Sequence, residues 1–254
     1  MKLKDNVVFI TGASGVLGNA MCMRFAQEGA ALICVGRNME KLNSLVEKIH
    51  QDGGRAMGVR ADVTDIAAVR EAVRQGKEQF GYIDRLVNLA GGPSGSGHGD
   101  IPFAQKDFDL CVSVVTTNLI GAMACAHEVI PAMIEAGGGK IVNVSSIDGM
   151  RGSKDLGKCD YVAAKSGLYG LSKSLARELA PYRINVNTVS LGQFANGKEK
   201  DNAKPESWAS YGAGSILNRF GEPDEAAGLV AFLLSSEADY ITGQNYVIGG
   251  GCYM

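Results

Sequence analysis

The sequence is poor in the features that would direct it to nucleic acid, a membrane or a metal. Its 25 basic and 27 acidic residues leave a formal net charge of −2, with no separate block of cations. No nucleic acid and no anionic membrane surface is therefore expected as a partner. The six cysteines (Cys22, Cys34, Cys111, Cys125, Cys159 and Cys252) are scattered, and no C-x-x-C pair occurs. They read as buried free thiols of a reducing compartment, not as a disulfide or zinc framework, and no metal site is expected. The longest uncharged run, residues 110–127, is interrupted by Ser113, Thr116, Thr117 and Asn118, so a buried helix is preferred to a membrane span. Met1-Lys2-Leu3-Lys4-Asp5 leads straight into a strand pattern, so no leader peptide and a cytoplasmic location are expected. No linker, composition break or internal repeat divides the chain. With 46% hydrophobic residues, residues 1–254 are expected to form one domain.

What the chain has in quantity is glycine, 34 residues clustered where strand patterns end. Residues 7–10 make an apolar strand, followed by Thr11-Gly12-Ala13-Ser14-Gly15-Val16-Leu17-Gly18 and a helical pattern to residue 27. Strand, glycine turn and helix place free N–H groups and the positive end of a helix dipole at one point, where an anion is favoured. Glycine also lets backbone approach a pyrophosphate where a side chain would collide. The turn thus nominates Gly12, Ser14, Gly15, Val16, Leu17 and Gly18 for a dinucleotide. A second strand over 32–35 ends at Gly36-Arg37-Asn38. An acid here would bind the adenosine ribose hydroxyls of NAD, whereas a cation accommodates the 2′-phosphate of NADP. Arg37, with Asn38 beside it, favours NADP(H) over NAD(H); an ordinary solvated arginine is the plainer alternative.

A helix over 39–51 and a strand over 56–60 precede Ala61-Asp62-Val63-Thr64-Asp65. Asp65 can cap the helix running to residue 80, and Asp62 and Val63 can meet adenine. The fourth strand, 86–89, leads through Asn88-Leu89-Ala90-Gly91-Gly92 into a Gly/Ser-rich loop at 93–99, at the strand end where ligands bind in such folds. His98 in that loop reads as solvated before it reads as a base. Then come a long helix over 108–136, a strand over 140–144 ending at Ser145-Ser146, an irregular stretch over 147–160, and a helix from Tyr161 to near Pro181. A strand over 184–189, a lid at about 193–217, a helix from Glu222-Pro223 to 234 and a strand over 246–248 complete the chain. Strands alternating with helices predict an α/β fold, a Rossmann-type doubly wound parallel sheet of about seven strands with helices on both faces.

Tyr161-Val162-Ala163-Ala164-Lys165 stands on the helix after the fifth strand. Residues four apart share a helix face, so phenol and ammonium would stand side by side. A free tyrosine titrates near ~10, and a neighbouring cation lowers that value, which makes the pair a candidate general acid/base. The spacing alone describes many surface pairs; the neighbouring motifs distinguish this one.

Taken together, Thr11-Gly12…Gly18, Asp62-Val63, Asn88-x-Ala90-Gly91, Asn118, Ser145-Ser146, Tyr161-x-x-x-Lys165, Arg219-Phe220-Gly221-Glu222-Pro223 and Tyr240-Ile241-Thr242-Gly243-Gln244…Gly249-Gly250-Gly251 resemble the short-chain dehydrogenase/reductase family over nearly the whole chain. The resemblance implies a catalytic tetrad of Asn118, Ser146, Tyr161 and Lys165, with Ser145 as the alternative serine and Asn118 binding a water of the proton relay. It implies cofactor contacts from Asn88, Ala90, Gly91, Tyr161, Lys165, Leu191, Gly192, Phe194 and Asn196 besides the turn residues, and a homotetramer or homodimer. The expected reaction is hydride transfer between a ketone and a secondary alcohol with NADP(H), in either direction. Ser146, Met150, Arg151, Phe194, Trp208 and Tyr211 are expected to face the substrate, and Arg151 and Lys154 could receive an anionic group.

Alternatives are NAD(H) preference, a dehydratase or epimerase, and a nucleotide sensor without turnover; an enoyl reductase of this fold would space its Tyr and Lys further apart. Four departures from the family pattern stand out. Val16 occupies a position where the family has Gly or Ala, with Gly15 before it. Leu89 replaces an asparagine. Leu191-Gly192 replaces Pro-Gly, with Asn196 in place of a threonine. The stretch from Ser146 to Tyr161 looks about two residues longer, through Arg151-Gly152-Ser153-Lys154-Asp155.

Overall fold

A computed structural model describes residues 1–92, 101–195 and 215–254. The apolar runs form one seven-stranded parallel sheet in the order β3-β2-β1-β4-β5-β6-β7. The strands are β1 (Val7–Thr11), β2 (Ala31–Gly36), β3 (Arg55–Arg60), β4 (Arg85–Asn88), β5 (Gly139–Ser146), β6 (Ile184–Leu191) and β7 (Asn245–Ile248). The helices are α1 (Val16–Gln27), α2 (Met39–Gln51), α3 (Ile66–Phe80), α4 (Phe108–Glu135), the one-turn α5 (Asp148–Arg151), α6 (Cys159–Glu178) and α7 (Pro223–Leu234).

Alternate residues of each central strand supply two apolar layers. Val8, Ile10, Leu32 and Cys34 join α1, α2 and α7, while Val7, Phe9, Ala31 and Ile33 join α3 and α4. Caps set several helix starts: Asn38 Oδ1 accepts the Lys41 N–H, Asp65 accepts from Ala67 and Ala68, and Glu222 and Glu225 form a reciprocal capping box. The chain winds outward from β1 through β2 to β3, then returns to place β4 on the other side of β1. That reversal opens a crevice at the carboxyl ends of β1 and β4, where ligands bind in open α/β sheets.

The long helix differs from expectation in one respect. Residues Thr116–Ile120 form a π turn within it, around the buried Asn118. The helix is long and apolar enough to cross a membrane, with mean hydropathy 1.6, but its Cys125, Ala126, Val129, Ala132 and Met133 pack into the sheet layer. All six cysteines are free, yet Cys159 is exposed and Cys252 half-buried, against the expectation of burial for the set. Both lie at the ends of their local structure, beyond the apolar faces that cover the other four. The expected lid falls almost wholly outside the described residues, as do His98, Asn196, Trp208 and Tyr211.

Candidate active site

The glycine turn after β1 and the ends of β2, β3 and β4 enclose a cleft of about 540 Å³, lined by Gly12 and residues 14–18, 35–37, 61–63 and 89–91 together with Thr117. A Cβ on Gly18 would lie 2.2 Å from the Gly12 carbonyl oxygen, so only glycine permits the turn to close on α1 this tightly. Helix α1 starts at Gly15 with no side-chain cap and no acid in its first turn. Its first N–H groups, which lack intrahelical acceptors, therefore face the cleft as donors suited to a phosphate. The described lining fits a dinucleotide: backbone donors at one end, and Arg37 at the other with its side chain 81% exposed. Arg37 Nη1 lies 3.6 Å from Asp62 Oδ2. The Asp62 carboxyl is held below its ordinary value first by the Thr64 backbone N–H, with Arg37 a lesser contributor.

Two expected cofactor residues have other tasks. The Asn38 side chain caps α2. Asn88 is buried between strands, donating to Ala122 O at 3.2 Å and to Asn143 Oδ1 at 2.8 Å. Thr11 and Thr117 were not among the expected contacts. Thr11 Oγ1 accepts the N–H groups of Leu89 and Ala90 at 3.1 and 3.0 Å, clamping the end of β1 to the turn after β4. Its signal in sequence was a hydroxyl closing an otherwise apolar strand. Leu89 packs against the apolar layer under α1, so its side chain serves packing where the family has an amide.

The proposed catalytic residues converge beside this cleft. Ser146 ends β5, Tyr161 and Lys165 occupy adjacent turns of α6, and Asn118 sits on the π turn. The Tyr161 phenol is pushed up to about 12, first by burial, while the Ser146 side chain beside it pulls it down and Asp148 and Tyr169 push it up a little further. Lys165, 5% exposed, is pushed down to about 8 by burial. Its ammonium stands 5.8 Å from the centre of the Tyr161 ring and donates to Val144 O at 2.9 Å. The expectation that this lysine lowers the phenol is corrected here. In this arrangement the ammonium turns to a carbonyl of β5, and desolvation dominates both groups.

Asn118 fastens backbone. Its Oδ1 accepts the Gly92 N–H at 2.8 Å, and its Nδ2 donates to Gly92 O at 3.0 Å and Val114 O at 2.9 Å. Both amide protons are used, so a relay water could only donate to the remaining lone pair of Oδ1. The neighbouring Gly91 has φ +138°, and a Cβ there would lie 2.3 Å from Asn118 Oδ1. Ser145 Oγ points away, donating to Lys165 O at 2.8 Å.

On the substrate side, Met150 Sδ accepts from Asn245 Nδ2 at 3.3 Å, and Arg151 Nη1 donates to Cys252 O at 3.0 Å with Asp148 3.7 Å from its other nitrogen. Arg151 is thus already engaged by the chain's end. Phe194 lies against Gly221 in a separate cavity of about 110 Å³, and Gly192 packs on Gly249.

A protein-family model described as "Enoyl-(Acyl carrier protein) reductase" matches residues 12–253. The 3-oxoacyl-[acyl-carrier-protein] reductase FabG of Thermotoga maritima is 36% identical over 252 residues, covering 99% of each chain. A short-chain dehydrogenase/reductase double mutant from Serratia marcescens superposes with a TM-score of 0.90 at 30% identity, covering 99% of each chain. The crystal structure of 3-oxoacyl-[acyl-carrier protein] reductase from Brucella melitensis superposes with a TM-score of 0.91 at 32% identity, covering 100% of this chain and 93% of that one.

Proposed function

The chain belongs to the short-chain dehydrogenase/reductase family and is an oxidoreductase of CH–OH groups. From that premise we propose that it interconverts a ketone and a secondary alcohol, with Tyr161 as general acid/base and NADP(H) preferred over NAD(H). The observation that carries the reading is the placing of the Tyr161 phenol beside Ser146, with the buried Lys165 ammonium 5.8 Å from its ring centre. When bound, the nicotinamide nucleotide supplies or accepts the hydride.

Reduction builds negative charge on the carbonyl oxygen, which two donors must meet. The Ser146 hydroxyl and the Tyr161 phenol are those donors, and a phenol at about 12 is fully protonated at neutral pH, ready to act as acid. Lys165, held on Val144 O beside the phenol, is assigned the nicotinamide ribose hydroxyls when the nucleotide binds. In the oxidative direction Tyr161 must first lose its proton, so that direction gains with rising pH. Arg37 at the mouth of the cleft, with no acid at the end of β2, supports the 2′-phosphate.

The substrate class supported first is a 3-oxoacyl chain, by full-length similarity to the Thermotoga maritima reductase. The four-residue spacing of Tyr161 and Lys165 argues against the enoyl reduction that the family model's description names. We further read the outward stripe of α4, where Phe108, Val112, Ile120 and Met123 are exposed, as the contact with a second copy in a homotetramer or homodimer. The six free thiols fit a cytoplasmic setting.

The deciding experiment follows reduced-nicotinamide absorbance for a panel of 3-oxoacyl thioesters, simple ketones, enoyl thioesters and secondary alcohols, with both cofactors. Ketone reduction that Tyr161→Phe lowers by roughly 10²–10⁴-fold, with nucleotide affinity retained, is expected. Turnover of enoyl substrates alone, or full activity in the variant, would overturn the reading.

A further inference from the structure

Tyr169 lies four residues beyond Lys165 and eight beyond Tyr161, on the same side of α6. Its hydroxyl is 2.9 Å from the main-chain oxygen of Ser146 and 2.9 Å from Ser190 Oγ on β6. Ser190 is fully buried and donates at 2.7 Å to Asn245 Oδ1 on β7, whose Nδ2 faces Met150 Sδ.

Proton counting orders this chain. A thioether sulfur only accepts, so the amide nitrogen faces Met150 and the amide oxygen faces Ser190. The single Ser190 proton is then committed to Asn245, and the single Tyr169 proton is left for the Ser146 carbonyl, with the Ser190 oxygen as its other acceptor. The last residue of β5 is therefore suspended from α6, the helix that also bears Tyr161. The same chain ties β6, β7 and, through Met150, the one-turn α5 into that suspension.

We propose that Tyr169 is a positioning residue: by holding the Ser146 carbonyl at 2.9 Å it keeps the serine hydroxyl beside the Tyr161 phenol. The proposal rests on the reading of Ser146 and Tyr161 given above. Its consequence is functional as well as structural, because the Ser146 contact is what draws the phenol downward against the effect of burial. If the Ser146 hydroxyl drifts, the phenol both loses its co-donor at the carbonyl and titrates higher.

The test is Tyr169→Phe, which deletes one oxygen and keeps the ring. The expected result is a fall in kcat of about tenfold, equivalent to ~1.4 kcal/mol of barrier, with KM and the nucleotide dissociation constant within about twofold of the parent. The ascending, acid-side limb of the alcohol-oxidation pH profile should move to higher pH, because losing the Ser146 contact outweighs relief of the smaller upward push from Tyr169. That limb is independent of how much enzyme folds, so it separates positioning from simple loss of stability. A variant that loses activity only in proportion to folded protein, with the limb unmoved, overturns the proposal. So does a variant with parental kcat and profile while Tyr161→Phe is inactive; if Tyr161→Phe itself stays active, the underlying reading fails instead.

Discussion

Lys106 and Asp160 form an ion pair sealed from solvent: Nζ lies 2.6 Å from Oδ2, and the two side chains are 1% and 2% exposed. The ammonium also donates to Gly157 O at 2.7 Å, and Asp160 Oδ1 accepts the Tyr161 N–H at 2.8 Å. The pair therefore fixes the first turn of α6, one residue before the proposed acid/base. Removing one partner of a buried pair leaves the other charge stranded, at about 3–5 kcal/mol. Lys106→Met should lower the Tm by on the order of 10 °C. Lys106→Met with Asp160→Asn should recover part of that loss, because an amide oxygen still accepts the Tyr161 N–H and no charge is left unpaired. Thermal melts followed by circular dichroism check this, and equal melting of single and double variants would contradict it.

Lys165 makes stability depend on pH in a defined sense. Its value is about 8 in the fold, against 10.5 when solvated. Below pH 8 both states hold the proton and the fold bears the full desolvation cost. Between about 8 and 10.5 the unfolded chain holds more protons, so stability rises with pH there, by at most about 3 kcal/mol at ~1.4 kcal/mol per unit. Tyr161 acts oppositely and later: the fold retains its proton up to about 12, so stability is lost between 10 and 12. The Tm of the parent should climb from pH 8 to 10, while Lys165→Met should be more stable at pH 7, flatter over that interval, and catalytically poor. Identical slopes for the two proteins would refute the assignment.

Arg37 is exposed, and its contact with Asp62 is long. Such a surface pair contributes little, about 0–1 kcal/mol, so the guanidinium is available to a phosphate. Arg37→Asp should reduce kcat/KM with NADPH by about tenfold or more while that with NADH rises, because a carboxylate repels the 2′-phosphate and accepts from the ribose hydroxyls. Steady-state kinetics with both nucleotides measure the ratio, and an unchanged ratio removes Arg37 from cofactor selection.

Gly91 cannot accept a side chain without displacing Asn118. Its φ of +138° disfavours any L residue, and the added Cβ would meet Asn118 Oδ1 at 2.3 Å and Lys165 Nζ at 3.5 Å. Gly91→Ala should cost about 2–4 kcal/mol of stability and depress turnover with it. Melting curves and initial rates on the same preparation check both.

Much of the architecture could be read from local pattern. The helix over 39–51 has the expected bounds, because its apolar residues repeat at helical spacing; the Asn38 cap that starts it was read as a cofactor contact. The seven strands followed from short apolar runs, several of them ended by glycine. Neighbouring motifs placed the nucleotide cleft because phosphate recognition uses contiguous backbone, and residues 14–18 are contiguous. The π turn at Asn118 was invisible, since its composition suits an α-helix equally well and only packing over the cleft distinguishes the two.

Sequence alone put Tyr161 and Lys165 on one helix and Ser146 at the end of a strand before it. The tertiary structure decided the direction in which each titrates and what supports it. Desolvation depends on what packs across a gap, so the phenol rises and the ammonium falls, whereas spacing by itself had suggested a lowered phenol. Lys106 finds Asp160 across 54 residues, and Tyr169 finds the Ser146 carbonyl across 23. No local periodicity encodes such meetings; they exist only once the sheet has brought the strand ends under α6.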